Sequence, residues 1–182
     1  MKTHEKLKGM IAATFTPMYE SGEVNLSAIA QYADMIASSP IRGVFVCGTT
    51  GEYSSLTVQE RKDILKEWVK VADKRFVVIA HVGSNCQKSA VELSKHAAEA
   101  GAHAIASIAP SFFKPSNVSD LVDFFVPVAN AAPELPFYYY NMPSMTGVCL
   151  PVEKFLIEGR KKMPTLAGVK FTHNNLMEMG VC

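Results

Sequence analysis

The sequence has no concentration of charge of either sign. Its 18 lysines and arginines face 17 aspartates and glutamates, a net charge of +1, and no run of like charge could grip a phosphate backbone or an anionic bilayer. Nucleic acid and membrane are therefore not expected as partners. Long apolar runs are missing too. Residues 1–8 carry no apolar core of the signal-peptide kind, and no later stretch reaches the roughly 20 residues of a membrane span, so a cytoplasmic location is expected. Cysteine is sparse: Cys47, Cys86, Cys149 and Cys182 lie more than thirty residues apart, a spacing that offers no zinc-type or redox pair. Reduced, mostly buried thiols are expected. His81 and His103 have no carboxylate partner at metal-ligand spacing, so neither a metal nor another cofactor is expected. Low-complexity segments and linkers are also absent, and with 48% apolar residues the chain reads as one domain over residues 1–182 with a sizeable core.

What the chain does have is a repeat. Short apolar runs rich in β-branched and aromatic residues begin near Ile11, Gly43, Phe76, His103, Pro136 and Leu166, at intervals of about 30 residues, the length of a βαβ unit. The expected strands are 11–16, 43–47, 76–82, 103–108, 137–141 and 166–171. Helical stripes lie between them: Leu26, Ile29, Ala33 and Ile36, then Val58, Leu65, Trp68, Val69 and Ala72, the second opened by a capping box of Thr57 and Glu60. A third stripe through Ala90, Leu93 and Ala97 stops at Gly101, and a fourth runs through Leu121, Phe124, Phe125 and Val128. Pro127 is expected to kink that fourth helix or end it early. Pro151 suits the first position of a fifth helix. Such alternation indicates a parallel sheet, closed or doubly wound. The turn after Cys47 reads GTTGE, which is not a dinucleotide fingerprint, so an α/β fold of the (β/α)8 TIM-barrel class is favoured. Such a barrel takes about 250 residues; only its first six strands are expected here, with Cys182 inside the sixth helix.

In a barrel of this kind the chemistry sits at the carboxyl ends of the strands. The second strand delivers Gly48, Thr49, Thr50, Gly51 and Glu52. Successive N–H groups and two hydroxyls can bind a carboxylate there, or the segment is an ordinary strand-to-helix turn. The fifth delivers Tyr140 and Asn141, with Pro143 in the loop. A tyrosine at the rim can move a proton, whereas Tyr138 and Tyr139 read as packing. The sixth holds Lys170 between Val169 and Phe171. Desolvation would favour the neutral amine that a nucleophile needs; the other reading is a side chain that snorkels to solvent. His173 reads as a cap of the loop that follows.

Together, GTTGE at 48–52, YYNMP at 139–143 and GVKFT at 168–172 resemble the N-acetylneuraminate lyase family of class I aldolases, which also contains dihydrodipicolinate synthase. The resemblance runs from the KGMIAATFTPM opening onward. It implies a Schiff base at Lys170, proton transfer by Tyr140, carboxylate binding by Thr49 and Thr50, and substrate contacts from Gly51 and Thr172. It also implies sialic acid and pyruvate as small-molecule partners, no cofactor, and a homotetramer. Two departures bear on the choice within the family. Met145 stands where the synthases look for an arginine, and Phe112 where they carry a second tyrosine, which favours retro-aldol cleavage of N-acetylneuraminate to pyruvate and N-acetylmannosamine. The alternatives are dihydrodipicolinate synthesis, another 2-oxo acid aldolase activity, or an inactive fragment with a binding or assembly role. Six strands would leave two open edges, so residues 1–182 alone are expected to associate and to lack turnover.

Overall fold

In the computed structural model, which describes residues 7–182, six parallel strands pair in the order in which the chain makes them. They are β1 (Met10–Ala13), β2 (Ile41–Val46), β3 (Val77–His81), β4 (Ala104–Ile108), β5 (Phe137–Asn141) and β6 (Leu166–Phe171). A doubly wound sheet reverses its strand order at a switch point; this one does not, and it is a half-barrel of the TIM type. The helices are α1 (Ala28–Ala37), α2 (Val58–Ala72), α3 (Gln87–Ala100), α4 (Val118–Asn130), α5 (Pro143–Thr146), α6 (Val152–Lys162) and α7 (Leu176–Gly180). Residues 1–6, part of the segment read above for a signal-type core, lie outside the described residues. Among the described residues no helix is long and apolar enough to cross a membrane.

Side chains alternate across the strands, and the two faces bury different things. Val44, Val46, Val78, Ala80, Ile105, Phe137 and Tyr139 face the helices, where they meet Ile29, Trp68, Leu93, Leu121, Phe125 and Phe155. Trp68, Phe125, Phe137 and Phe155 are fully buried in this layer, and burial of side chains of this size contributes roughly 1.5–3 kcal/mol each. Phe45, Ile79, Ala104, Ala106, Ile108 and Tyr140 face the other way and form the inner cluster.

β5 and β6 have the expected bounds, whereas β1 stops at Ala13, three residues short of the expected 16. Beyond it the chain turns toward the β2 end, with the Thr14 N–H donating to the Phe45 carbonyl at 3.2 Å. The Thr57–Glu60 capping box is present, and α3 ends on Gly101 at φ 88°. Pro127 neither ends nor shortens α4, which continues to Asn130. A proline in the last turn removes a single intrahelical bond, and Phe125, Val128 and Ala129 around it are fully buried, so packing outweighs that loss. Pro151 precedes α6 as its cap residue rather than occupying its first turn. The cysteines are free, as expected, but only Cys47 is buried. Cys86 caps α3, Cys149 sits in the loop before α6, and Cys182 follows α7, all outside the two packed layers.

Among the described residues β1 and β6 each pair on one side only. Between them the inner face is open over a cavity of about 300 Å³ lined by Leu7, Ile11, Phe45, Ile79, Tyr138, Val169 and Lys170. Unpaired edges flanking an apolar concavity favour association. In sedimentation, residues 1–182 are expected to run as dimers or larger species; a stable monomer would show that the edges are protected.

The capping box yields a second prediction. The Glu60 carboxylate accepts from the Thr57 N–H and from the Thr57 hydroxyl, both at 2.7 Å, and these bonds hold its pKa below the usual 4.5. The folded state therefore binds that proton less readily than the unfolded chain. The resulting stability is full above the usual range and is lost as pH falls through the lowered value. Thr57→Ala should destabilise by about 1 kcal/mol in neutral denaturant titrations. The gap from wild type should narrow at acid pH.

Candidate active site at the carboxyl ends of the strands

β5 and β6 bring two of the expected residues into register. Tyr140 pairs with Lys170 across the ladder, and Ile108 of β4 pairs with Tyr140 on the other side. Partners in a parallel ladder leave the sheet on the same face, so Lys170 and Tyr140 both lie on the inner face, Tyr140 packed in its cluster and Lys170 lining its cavity. The Lys170 Nζ lies 3.7 Å from the centre of the Tyr140 ring and 5.2 Å from that of Phe45. Its ammonium or amine is thus held between two aromatic rings, while the side chain remains partly open to solvent.

The carboxyl end of β2 supplies the next component. Cys47 and Glu52 adopt left-handed backbone conformations at φ 54° and 55°, and they bracket the Gly48–Gly51 turn. The Thr49 hydroxyl lies 3.2 Å from the Tyr140 hydroxyl and also donates to the Met142 sulfur at 3.3 Å. Thr50 is exposed at the tip of the turn. Gly51 is buried against β1: a Cβ there would meet the Thr14 carbonyl oxygen at 3.0 Å. The Thr16 hydroxyl donates to the Gly51 carbonyl at 2.7 Å and fixes the turn from below. The N–H groups of Thr49, Thr50 and Gly51 make no hydrogen bond among the described residues. They form a ready set of donors for an anion.

Thr172 follows β6 and is placed differently. Its N–H and hydroxyl both donate to the Asn141 carbonyl, at 3.1 and 2.7 Å, so the hydroxyl can offer a substrate only its lone pairs. His173 pairs with Glu178 at 3.3 Å, and Glu178 also accepts from the Val152 N–H. These residues border a cavity of about 500 Å³ between the β5 and β6 ends and α7. Lys170 lines the smaller inner cavity instead.

Behind the turn lies a group that sequence reasoning missed. His81 is buried, and its Nδ1 is 2.8 Å from the Cys47 carbonyl oxygen, which makes Nδ1 the protonated nitrogen. Burial first, and then the nearby Arg61, push its pKa well below the usual 6.5, so the imidazole is neutral. Gly83 leaves space for it, since a Cβ there would lie 2.6 Å from His81 Nε2. Tyr53 and Tyr140 contact the His81 ring from two directions, with centroids 4.5 and 5.7 Å away. Burial also pushes the Cys47 thiol up to about 11 and raises the Tyr53 phenol, so neither is a nucleophile at neutral pH. Thr14 and Thr16 end the first apolar run as polar residues, and the rule used for the other strand ends would have found them. Arg61, on an amphipathic helix, carries no such signal.

Phe112 and Met145, at the two positions that depart from the synthase pattern, are 77% and 64% exposed, on the loop after β4 and on the short α5 after β5. No group of three His, Cys, Asp or Glu among the described residues could hold a metal ion.

Residues 6–181 match the dihydrodipicolinate synthetase family. The chain is 48% identical to N-acetylneuraminate lyase of Mus musculus, over 98% of this chain and 56% of that protein. A native structure of N-acetylneuraminate lyase (sialic acid aldolase) from Aliivibrio salmonicida superposes with a TM-score of 0.95 at 40% identity, covering 98% of this chain and 59% of that one. Dihydrodipicolinate synthase from Aquifex aeolicus superposes at 0.89 with 30% identity, covering 96% and 59%. The chain thus spans a little over half the length of these relatives. Its half-barrel and these matches agree: the chain belongs to the dihydrodipicolinate synthetase family.

Proposed function

We propose that this chain carries the Schiff-base half of an N-acetylneuraminate lyase, in a single catalytic domain over residues 1–182. The observation that carries the reading is the line of groups along the inner face: Lys170 Nζ against the Tyr140 ring at 3.7 Å, and the Tyr140 hydroxyl 3.2 Å from the Thr49 hydroxyl. A nucleophilic amine, a proton carrier and an anion-binding turn stand side by side.

In this reading the neutral Lys170 amine attacks the C2 ketone of the open-chain sugar acid and water leaves, forming an iminium. Tyr140 takes the C4 hydroxyl proton as the C3–C4 bond breaks. The electron pair of that bond passes into the iminium to give an enamine, and the sugar aldehyde departs. Protonation at C3 and hydrolysis then release pyruvate and regenerate the amine. Thr49, Thr50 and Gly51 hold the C1 carboxylate throughout, which fixes the ketone against Lys170. Thr172, its hydrogen committed to Asn141, contributes as an acceptor.

Cleavage is favoured over synthesis from aspartate semialdehyde because Met145 offers no cation for a second carboxylate and Phe112 no hydroxyl for a relay. The higher identity to the lyases supports the same choice. A homotetramer and a cytoplasmic location accompany the proposal, from the family resemblance and from the lack of charge patches and apolar spans.

Borohydride trapping, carried out with active protein, tests the nucleophile and the substrate together. With pyruvate, a reduced pyruvyl group is expected on Lys170 and none on Lys114, whose amine lies at the rim beside Gly147. With N-acetylneuraminate, the trapped group should be the pyruvyl remnant, because bond cleavage precedes reduction. Retention of the intact sugar acid, or efficient condensation of pyruvate with aspartate semialdehyde, would favour the other aldolase activities. Tyr140→Phe separates proton transfer from imine formation. It should leave pyruvate trapping within a few-fold of wild type and slow sugar-acid cleavage by about 10²-fold or more. Equal losses in both would mean that Tyr140 acts by packing.

A further inference from the structure

Among the described residues, Arg61 is a buried cation without a carboxylate partner. It lies in the first turns of α2 and is 5% exposed, and none of the ion pairs among the described residues includes it. Its guanidinium donates to two backbone carbonyls at the β3 end, Nη1 to Gly83 at 2.9 Å and Nη2 to His81 at 2.7 Å. The carbon of the guanidinium stands 5.3 Å from the Tyr53 ring centre, and Nε is buried with no partner. A buried charge normally has a counter-ion. The ionisable groups around this one are neutral at pH 7, namely the Cys47 thiol, the Tyr53 phenol and the His81 imidazole.

The missing negative charge has a place to sit. Arg61 borders Cys47, the residue that opens the Gly48–Glu52 turn, and at that range its buried charge acts on the turn through space. Arg61 also holds His81 by its backbone carbonyl, and the His81 Nδ1–H bonds the Cys47 carbonyl. That bond polarises the Cys47–Gly48 peptide and makes the Gly48 N–H a better donor. The turn then offers the free N–H groups of Thr49, Thr50 and Gly51. We infer that Arg61 is a positioning residue for the substrate carboxylate: the anion bound at the Gly48–Glu52 turn is the counter-ion of this buried guanidinium, which acts on it through the turn without touching it. The inference rests on the aldolase reading only for the choice of a 2-oxo acid as the anion. Because the charge is buried, added salt screens it little.

Two substitutions separate charge from tethering. Arg61→Lys keeps the charge and gives up the two-carbonyl fork, whereas Arg61→Gln keeps N–H donors and gives up the charge. Pyruvate is titrated into each full chain while the backbone amide signals of Gly48 to Glu52 are followed, and Lys170 trapping by acetone, a ketone without a carboxylate, is measured in parallel. Arg61→Gln should raise the pyruvate Kd by roughly tenfold or more, about 1.4 kcal/mol. Arg61→Lys should stay within about threefold, and acetone trapping should be unchanged in both. Equal weakening by the two variants, a parallel loss of acetone trapping, or wild-type amides that do not respond to pyruvate would each overturn the inference. The amide response needs no imine, so a wild type that binds pyruvate at the turn but is not labelled at Lys170 would sink the aldolase reading and leave Arg61's role standing.

Discussion

Tyr140 and Lys170 face each other in the β5–β6 ladder, and the arrangement of the inner face follows from that pairing. Side chains in a parallel ladder alternate in step, so a slip of one residue would turn Lys170 toward the helices while Tyr140 stayed inside. Several contacts hold the register. Phe137 and Tyr139 are fully buried against Phe125 and Phe155, and Thr172 closes the ladder on the Asn141 carbonyl with two bonds. The aromatic run of β5 therefore has two jobs. Alternate rings anchor the strand to the helical layer, and Tyr140 is presented to the inner face beside Lys170.

The β2 end is organised by a different interaction. A non-glycine residue in the left-handed region costs on the order of 1–3 kcal/mol, and Cys47 adopts it at φ 54°. The turn it opens is held from three sides: His81 on the Cys47 carbonyl, Thr16 on the Gly51 carbonyl, and Thr49 against Tyr140. The segment after β1, β3 and β5 thus all converge on the turn that follows β2. A turn fixed this firmly presents its N–H groups without having to reorganise when an anion arrives. Arg61 behind it adds a charge that no described carboxylate cancels.

Both fold and site were legible to the extent that they are local. Apolar runs about 30 residues apart mark out the strands, and a period of about 3.6 residues marks out the longer helices, so five helices and all six strands could be placed, β5 and β6 to the residue. Pro127 misled because a single-residue rule cannot weigh the buried neighbours of α4. The short α5, over Pro143–Thr146, has too few residues for any period to show. Lys170, Tyr140, Thr49 and Thr50 stood out because each interrupts or ends an apolar run.

What the sequence by itself determined, then, is the order and type of the elements, since hydrophobic alternation and capping act between residues close in the chain. Which polar groups meet was decided only by the tertiary structure. By its spacing His81 shows only that it has no metal-ligand partner, and it is the support of the β2 turn; Arg61 carries no signal in the sequence, and it is buried beneath the candidate carboxylate site. Nothing within a few residues of either one distinguishes it from a solvated side chain. Their surroundings are built by strands from 14 residues to more than 30 residues away, and burial, register and electrostatic potential exist only once those strands have packed.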